Sequence, residues 1–323
     1  MRFLVTGGAG FIGANYVRKL VDGSFQGASE ITVLDKLTYA GNLKNLDSIP
    51  SDAFRFVQAD ICDQSAISDL IQDVDVIVNF AAESHVDRSI NNPGDFIETN
   101  IKGVQTLLDE MKKYNDKTFI QISTDEVYGS INEGSWSEVS PLLPNSPYSA
   151  SKAAAEMILR SYFKTYGLDI RITRSSNNYG PYQHPEKLIP LAITNILRNK
   201  RVPVYGEGTN VRDWLHVDDN CESIHEVILK GKPGEIYNIG GGNELSNIEL
   251  IRKILNLFLK SEQGNIDFVV DRKGHDLRYS INTDKISNEI GISPKIDFNV
   301  GLESTLNWYK NNFSWWVDKA GTA

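Results

Sequence analysis

Short apolar runs alternate with longer stretches of helical period through the first 175 residues of the chain. The strand-like runs fall at 3–6, 31–34, 54–57, 74–80, 119–122 and 168–173, and helical patterns start from Phe11, Gln64, Asp95 and Tyr148. Such alternation predicts a parallel sheet covered by helices on both faces. After Asn177 the runs shorten and the punctuation thickens, with Pro181, Pro185, Pro190, Pro203, Gly206, Gly208 and then Gly240, Gly241 and Gly242. The reading is two domains, 1–176 and a smaller mixed α/β domain at 177–323, with some later chain crossing back to the first. There is no internal repeat and no low-complexity linker. The end is expected to fray after Trp315 and Trp316.

A chain of 323 residues is long enough to bury a sizeable core without disulfide staples. Its 33 basic and 42 acidic side chains leave a net charge of −9, which disfavours a duplex nucleic-acid binder. Hydrophobic residues at 41% and charged residues at 23% are ordinary globular usage, against both disorder and a membrane protein. No apolar run approaches the roughly 18 residues of a spanning helix. Cys62 and Cys221 lie far apart without metal-type spacing, and the chain enters a glycine-rich turn within seven residues of Met1. The expectation is a cytoplasmic protein without a leader, a disulfide or a metal.

Gly7, Gly10 and Gly13 stand in G-x-x-G-x-x-G spacing between the first strand and first helix, around Phe11 and Ile12. Glycine there permits the tight turn and the close approach of backbone to a pyrophosphate, which then sits on the helix N-terminus. Asp35 ends the second strand about 20 residues on, where a carboxylate accepts hydrogen bonds from a ribose diol and repels a 2′-phosphate. NAD is therefore favoured over NADP, with Lys36 next door arguing the other way. Asp60 and Ile61 after the third strand would meet the adenine, and Ala81 and Ala82 after the fourth leave room for a dinucleotide across the strand ends. Singly, each reads equally well as turn or core; at successive strand ends they reinforce one another.

Tyr148 and Lys152 stand at i and i+4 at the start of a predicted helix and so share a face. A neighbouring ammonium, together with oxidised nicotinamide, would favour the phenolate as a base for an alcohol proton. Thr124, Asp125 and Glu126 follow the fifth strand, at the carboxyl end of the sheet where ligands bind in open α/β folds. Two adjacent carboxyl groups there divide into acid and base when their surroundings push their pKa values apart.

The glycine turn, the Tyr-x-x-x-Lys pair and Ser123-Thr124 resemble the extended short-chain dehydrogenase/reductase superfamily acting on nucleotide sugars. Thr124-Asp125-Glu126 before Val127-Tyr128-Gly129 resembles its dTDP-glucose 4,6-dehydratase family. Further matching strings run from Ala81 to Ser89, Asn177 to Pro181, Pro185 to Pro190, Val211 to Trp214 and Gly274 to Asp276, so the likeness spans nearly the whole chain. Lys273 stands where many members carry Pro; with Tyr182–Pro185 it resembles the branch serving secondary-metabolite deoxysugars. The resemblance implies an α/β fold, a Rossmann-type doubly wound parallel sheet with a smaller mixed α/β substrate-binding domain, in a homodimer joined by a four-helix contact. It implies NAD held also by Lys36, Leu37, Thr38, Gly41, Ser84, Thr99 and Asn178, besides Tyr148 and Lys152. For the nucleotide-sugar pocket it implies Ser84, His85, Thr124, Asn177, Glu186, Lys187, Leu188, Pro203, Tyr205, Arg212, Asn247, Arg272 and His275. Arg212 and Arg272 suit a diphosphate on chemical grounds, since a guanidinium fork matches phosphate oxygens. Trp214, Trp308, Trp315 and Trp316 are read as packing residues.

The implied reaction is a redox-neutral elimination on dTDP-glucose. Thr124 would hold the 4-hydroxyl while Tyr148 takes its proton; the 4-ketone acidifies carbon 5, Glu126 removes that proton and Asp125 protonates the departing 6-hydroxyl. The same scaffold supports nucleotide-sugar epimerases, decarboxylases and UDP-sugar dehydratases, and more remotely a non-catalytic NAD-binding regulator. The carboxyl pair argues against the epimerase, because only the second half of a dehydration needs it.

Overall fold

The computed structural model describes residues 1–114 and 116–318. Twelve strands follow in chain order: β1 Arg2–Thr6, β2 Glu30–Asp35, β3 Arg55–Gln58, β4 Val76–Asn79, β5 Thr118–Thr124, β6 Asp169–Ser175, β7 Asn177–Tyr179, β8 Val202–Tyr205, β9 Val211–His216, β10 Ile236–Ile239, β11 Glu244–Ser246 and β12 Ile266–Val269. Seven form one sheet in the order β10-β6-β5-β4-β1-β2-β3, every pair parallel. The order reverses between β1 and β4, which opens a crevice at the carboxyl ends of those strands.

Successive residues of a strand face opposite sides of the sheet, and both sides are apolar here. Phe3 and Val5 of β1 pack with Val33, Val78 and Ile120 under the helices Phe11–Val21 and Val217–Lys230. Leu4 between them packs with Ile77, Phe119 and Ile170 under the helices Gln64–Gln72, Val104–Met111 and Pro147–Tyr166.

Pro147–Tyr166 carries the Tyr148 and Lys152 pair, and its ends are fixed locally. Ser146 accepts from the Ser149 N–H while the Ser149 hydroxyl bonds back to Ser146 N, Pro147 occupies the first helical position, and Gly167 ends the helix at φ 71°. The helix expected from Asp95 instead starts earlier, as Val86–Asn91, and restarts as Pro93–Ile97 before a π-helical stretch, Glu98–Gly103, leads into Val104–Met111. Pro93 lacks the N–H that would continue the first piece but suits the first turn of the second.

The remaining strands make a three-stranded sheet, β11-β9-β7, and a parallel pair, β12-β8. They pack with the helices Leu188–Leu197, Asn247–Leu257 and Phe298–Asn311 around a second core containing Tyr179, Val204, Trp214 and Trp316. The crossing back is made by Val217–Lys230 and β10, which complete the large sheet from residues beyond 177. The fraying expected after Trp316 does not begin at Val317, which packs on the second core, and from 319 onward it lies outside the described residues. Both cysteines are free, and no described helix is long and apolar enough to cross a membrane.

Candidate active site

The glycine turn is closed by backbone contacts that leave no room for side chains. Gly7 has φ +66° and donates its N–H to Leu34 O at 2.7 Å; a Cβ on it would lie 2.5 Å from Ala81 N. A Cβ on Gly13 would lie 2.4 Å from Gly7 O. The Asp35 carboxylate, 7% exposed, accepts from Ala9 N at 3.0 Å and Leu37 N at 2.8 Å. Burial raises its pKa against those two hydrogen bonds. Lone pairs remain for a diol, so the turn and the carboxylate fit a dinucleotide. Lys36 reaches Asp60 at 2.5 Å. Burial pushes Asp60 up, but the Lys36 ammonium and Cys62 N–H outweigh it and hold the carboxyl below its usual range. Lys36 is thus turned to a carboxylate, which removes the argument for a 2′-phosphate.

Every residue expected around the cofactor lines one cleft along these strand ends except Leu37 and Asn178. Leu37 packs on the core of the sheet and contributes its N–H to Asp35; Asn178 bonds through its amide to Ser176 O. The cleft also takes in Ser123, Glu83, Gln183 and Trp315, none of them expected there. Trp315 donates to Asn45 Oδ1 at 2.9 Å, and Asn45 donates to Ala9 O at 2.8 Å, so a residue read as packing reaches the glycine turn from the far end of the chain.

A second cavity, about 650 Å³, adjoins the cleft and shares Ser84, Glu186 and Lys187 with it. Its size is that of a ligand site. All the residues expected around the nucleotide sugar line it except Thr124, and so does Glu126. Arg212 is buried, its guanidinium donating to Val211 O and Asp276 O and lying 4.2 Å from the Tyr279 ring centroid. Arg272 pairs with Asp87 at 2.7 Å, and Tyr205 donates to the same carboxylate at 3.3 Å. Asp87 stands within the Ala81–Ser89 string, and a lone acid there gives no sign of which arginine it will meet. Lys187 donates to Ser84 O at 3.0 Å. Burial, then Lys187, lowers His85 to about 4, so its imidazole is neutral.

The reactive side chains meet where the two spaces join. Thr124 caps the short turn Asp125–Tyr128 through the Glu126 N–H. Asp125 is 2% exposed and its Oδ2 has no partner. Burial, then Glu126 and Asp213, pushes its carboxyl up, which favours the protonated form. Burial also raises Glu126, but Arg212, Lys187 and Arg272 oppose it and favour the carboxylate. The neighbours are therefore set apart as acid and base. Lys152 Nζ donates to Ile122 O at 2.6 Å and is lowered by burial to about 8. Tyr148 is pushed up by burial, then by Glu126 and Asp125, with only a Thr124 hydrogen bond opposing. Without the cofactor's positive ring, burial and two carboxyl neighbours thus disfavour the phenolate. Among the described residues no cluster of His, Cys, Asp or Glu is placed to hold a metal.

A parallel sheet ending in a glycine turn, with Tyr148 and Lys152 facing the cleft beside a second ligand chamber, defines an enzyme of the short-chain dehydrogenase/reductase class that acts on nucleotide sugars. The family described as GDP-mannose 4,6 dehydratase matches residues 4–305. A dTDP-glucose 4,6-dehydratase of Streptomyces niveus is 52% identical over 322 residues, 98% of this chain and 95% of that protein. The crystal structure of a dTDP-glucose 4,6-dehydratase from Streptomyces venezuelae with NAD bound superposes with a TM-score of 0.96 at 53% identity, covering 98% of this chain and 99% of that one. One from Bacillus anthracis in complex with NAD gives 0.91 at 49% identity, with the same coverage. The chain belongs to the dTDP-glucose 4,6-dehydratase family of nucleotide-sugar dehydratases.

Proposed function

We propose that this protein converts dTDP-glucose to dTDP-4-keto-6-deoxyglucose with NAD as a resident cofactor. The observation that carries the reading is the adjacency of Asp125, a buried carboxyl whose burial favours the acid form, and Glu126, which lines the substrate chamber with Arg212, Lys187 and Arg272 supporting its charge. NAD, held along the cleft from Gly7 to Asp35, supplies hydride acceptance from carbon 4 and its return to carbon 6, and a positive ring that favours the Tyr148 phenolate. Thr124 holds the sugar's 4-hydroxyl and Tyr148 takes its proton. Glu126 then removes the proton on carbon 5, made acidic by the 4-ketone, and Asp125 protonates the 6-hydroxyl as it leaves. Arg212 and Arg272 face the diphosphate; Asp87 holds Arg272 and Tyr205 in place until it arrives. Leu37 serves the cofactor side through its N–H, which orders Asp35, and Asn178 through a side-chain amide held by Ser176 O.

Purified protein incubated with dTDP-glucose and, separately, UDP-glucose tests this. Formation of the 4-keto-6-deoxy product from dTDP-glucose is expected, with carbon-4 deuterium transferred to carbon 6 and solvent deuterium entering carbon 5. Inversion at carbon 4 without loss of water would replace the reading with an epimerase.

We infer further that the enzyme works in the cytoplasm as a homodimer, through the face of Pro147–Tyr166 and its neighbour that leaves Met157 and Ile97 exposed. Light scattering at micromolar concentration decides this, a monomer counting against it. The division at 176/177 is likewise our own, with 217–239 assigned to the cofactor lobe.

A further inference from the structure

Behind the reactive pair lies a buried ion pair that the reaction as described does not use. Glu156 stands four residues after Lys152 and eight after Tyr148, on the same face of one helix. It is 1% exposed, and its partner Arg174 on β6 is 2% exposed. Arg174 donates from Nε to both carboxylate oxygens at 3.1 Å and from Nη2 to Oε2 at 2.5 Å. Its Nη1 donates to the Tyr128 hydroxyl at 2.6 Å, and Tyr128 donates to Asn238 Oδ1 at 2.8 Å. The clamp joins the helix to β6, β10 and the turn that carries Asp125 and Glu126.

A buried ion pair adds little or nothing to stability compared with an apolar pair of the same size, so its presence calls for another account. Two contacts supply one. Ser123, which lines the cofactor cleft, donates its hydroxyl to Glu156 Oε1 at 2.5 Å. A carboxylate only accepts, so the Ser123 proton points inward and its lone pairs remain for a donor in the cleft. The second contact is electrostatic. Tyr148 and Glu156 share the helix of Lys152, whose ammonium bonds to Ile122 O of β5, the strand that leads to Asp125 and Glu126, and Arg174 on β6 is taken up by Glu156; from the helical stretch packed alongside, Asn100 bonds to Ser151 and Asp109 to Tyr162 instead. Of these, Glu156 is the group whose charge acts on Lys152, against burial.

We propose that Glu156, clamped by Arg174, is a positioning residue of the reaction, which orients the Ser123 hydroxyl and supplies the counter-charge for Lys152. This rests on the reading of Lys152 as the partner of Tyr148. Glu156 touches neither substrate nor cofactor and works through residues that face the cleft.

The test uses NAD-loaded enzyme and follows the titration of Lys152 by NMR of labelled lysine, beside the pH profile of kcat/KM. Glu156→Gln alone strands a buried guanidinium, so the decisive variant is the double substitution Glu156→Gln with Arg174→Met, which removes both charges at similar volume. An opposite charge near a titrating group is worth about one to three pH units. The Lys152 titration and the alkaline limb of the profile are therefore expected to move to lower pH by about one unit or more. Should the double variant not fold, Glu156→Asp carries the test, with a smaller shift in the same direction because its charge is withdrawn by one methylene. Ser123→Ala is expected to leave the Lys152 titration in place and lower kcat several-fold. A folded, NAD-loaded variant without Glu156 whose Lys152 titration is unmoved overturns the counter-charge role, and an unchanged kcat in Ser123→Ala overturns the orienting role. The Lys152 titration is read without turnover, so it stands apart from Tyr148→Phe, on which the parent reading rises or falls.

Discussion

Asp125 and Glu126 are consecutive residues that face opposite electrostatic surroundings. Asp125 looks toward Asp213 and holds an unpartnered buried oxygen, whereas Glu126 opens into the chamber walled by Arg212, Lys187 and Arg272. Burial and these neighbours thereby favour the acid form of one carboxyl group and the base form of the other.

Glu126→Gln keeps the side chain's size but cannot take a proton. Oxidation at carbon 4 is expected to survive and elimination to fail, with overall turnover reduced by about 10²- to 10⁴-fold. In a single turnover, enzyme-bound NADH and a 4-keto sugar still bearing its 6-hydroxyl should accumulate. A variant that blocks the first hydride transfer outright would show that the carboxylate is not reserved for the second step.

Tyr148→Phe removes one oxygen from a nearly buried ring and should leave the fold intact. Loss of carbon-4 oxidation by about 10²- to 10⁴-fold is expected, with no NADH signal on mixing with dTDP-glucose. Activity near the wild-type level would assign the proton to another base.

Turnover should follow a bell-shaped pH profile. Glu126 works deprotonated, and burial raises its pKa above the ordinary 4.5, so activity falls as pH drops through that raised value. Lys152 works as an ammonium, and burial lowers it to about 8, so activity falls again as pH rises through that region. Burial, then Glu126 and Asp213, pushes Asp125 up, which favours the protonated acid that the elimination needs. Rates at saturating dTDP-glucose across this range check both limbs; an acid limb that persists in wild-type single-turnover oxidation at carbon 4, a step Glu126 does not serve, would assign it to another group.

Asp35→Ala removes the carboxylate that organises Ala9 N and Leu37 N and faces the cleft. NAD affinity should weaken by about 1–3 kcal/mol, the range for a buried group left without its partner. Isothermal titration of NAD-stripped protein measures it, and unchanged affinity would take Asp35 out of the site.

The strands and the glycine turn were legible because short apolar runs and crowded glycines are local signals, visible in a window of a few residues. The Thr124–Glu126 triplet and the Tyr148/Lys152 pair were legible for the same reason. Partnerships across the fold were not. Nothing in the neighbourhood of Trp315 announces that it will hydrogen-bond to Asn45, 270 residues away. The Arg272–Asp87 pair joins positions 185 apart, and Glu156 looks like any helix-face acid until Arg174 and Ser123 close on it. Burial depth is likewise a property of the assembled core, and the spacing of Tyr148 and Lys152 along a helix carries no measure of how strongly burial opposes the phenolate that oxidised nicotinamide would favour.

The seventh strand of the large sheet gives the chain a folding order during synthesis. β6 is complete at Ser175, but its outer edge finds its partner only when Ile236–Ile239 has been made. Until then it is an open row of backbone donors and acceptors, the kind of edge that recruits other chains. The cover over one face, with Ile224, Val227 and Tyr237, arrives in the same stretch. A nascent chain therefore cannot finish its cofactor lobe before β7, β8 and β9 of the other lobe have left the ribosome, and chaperone demand should peak between residues 175 and 239.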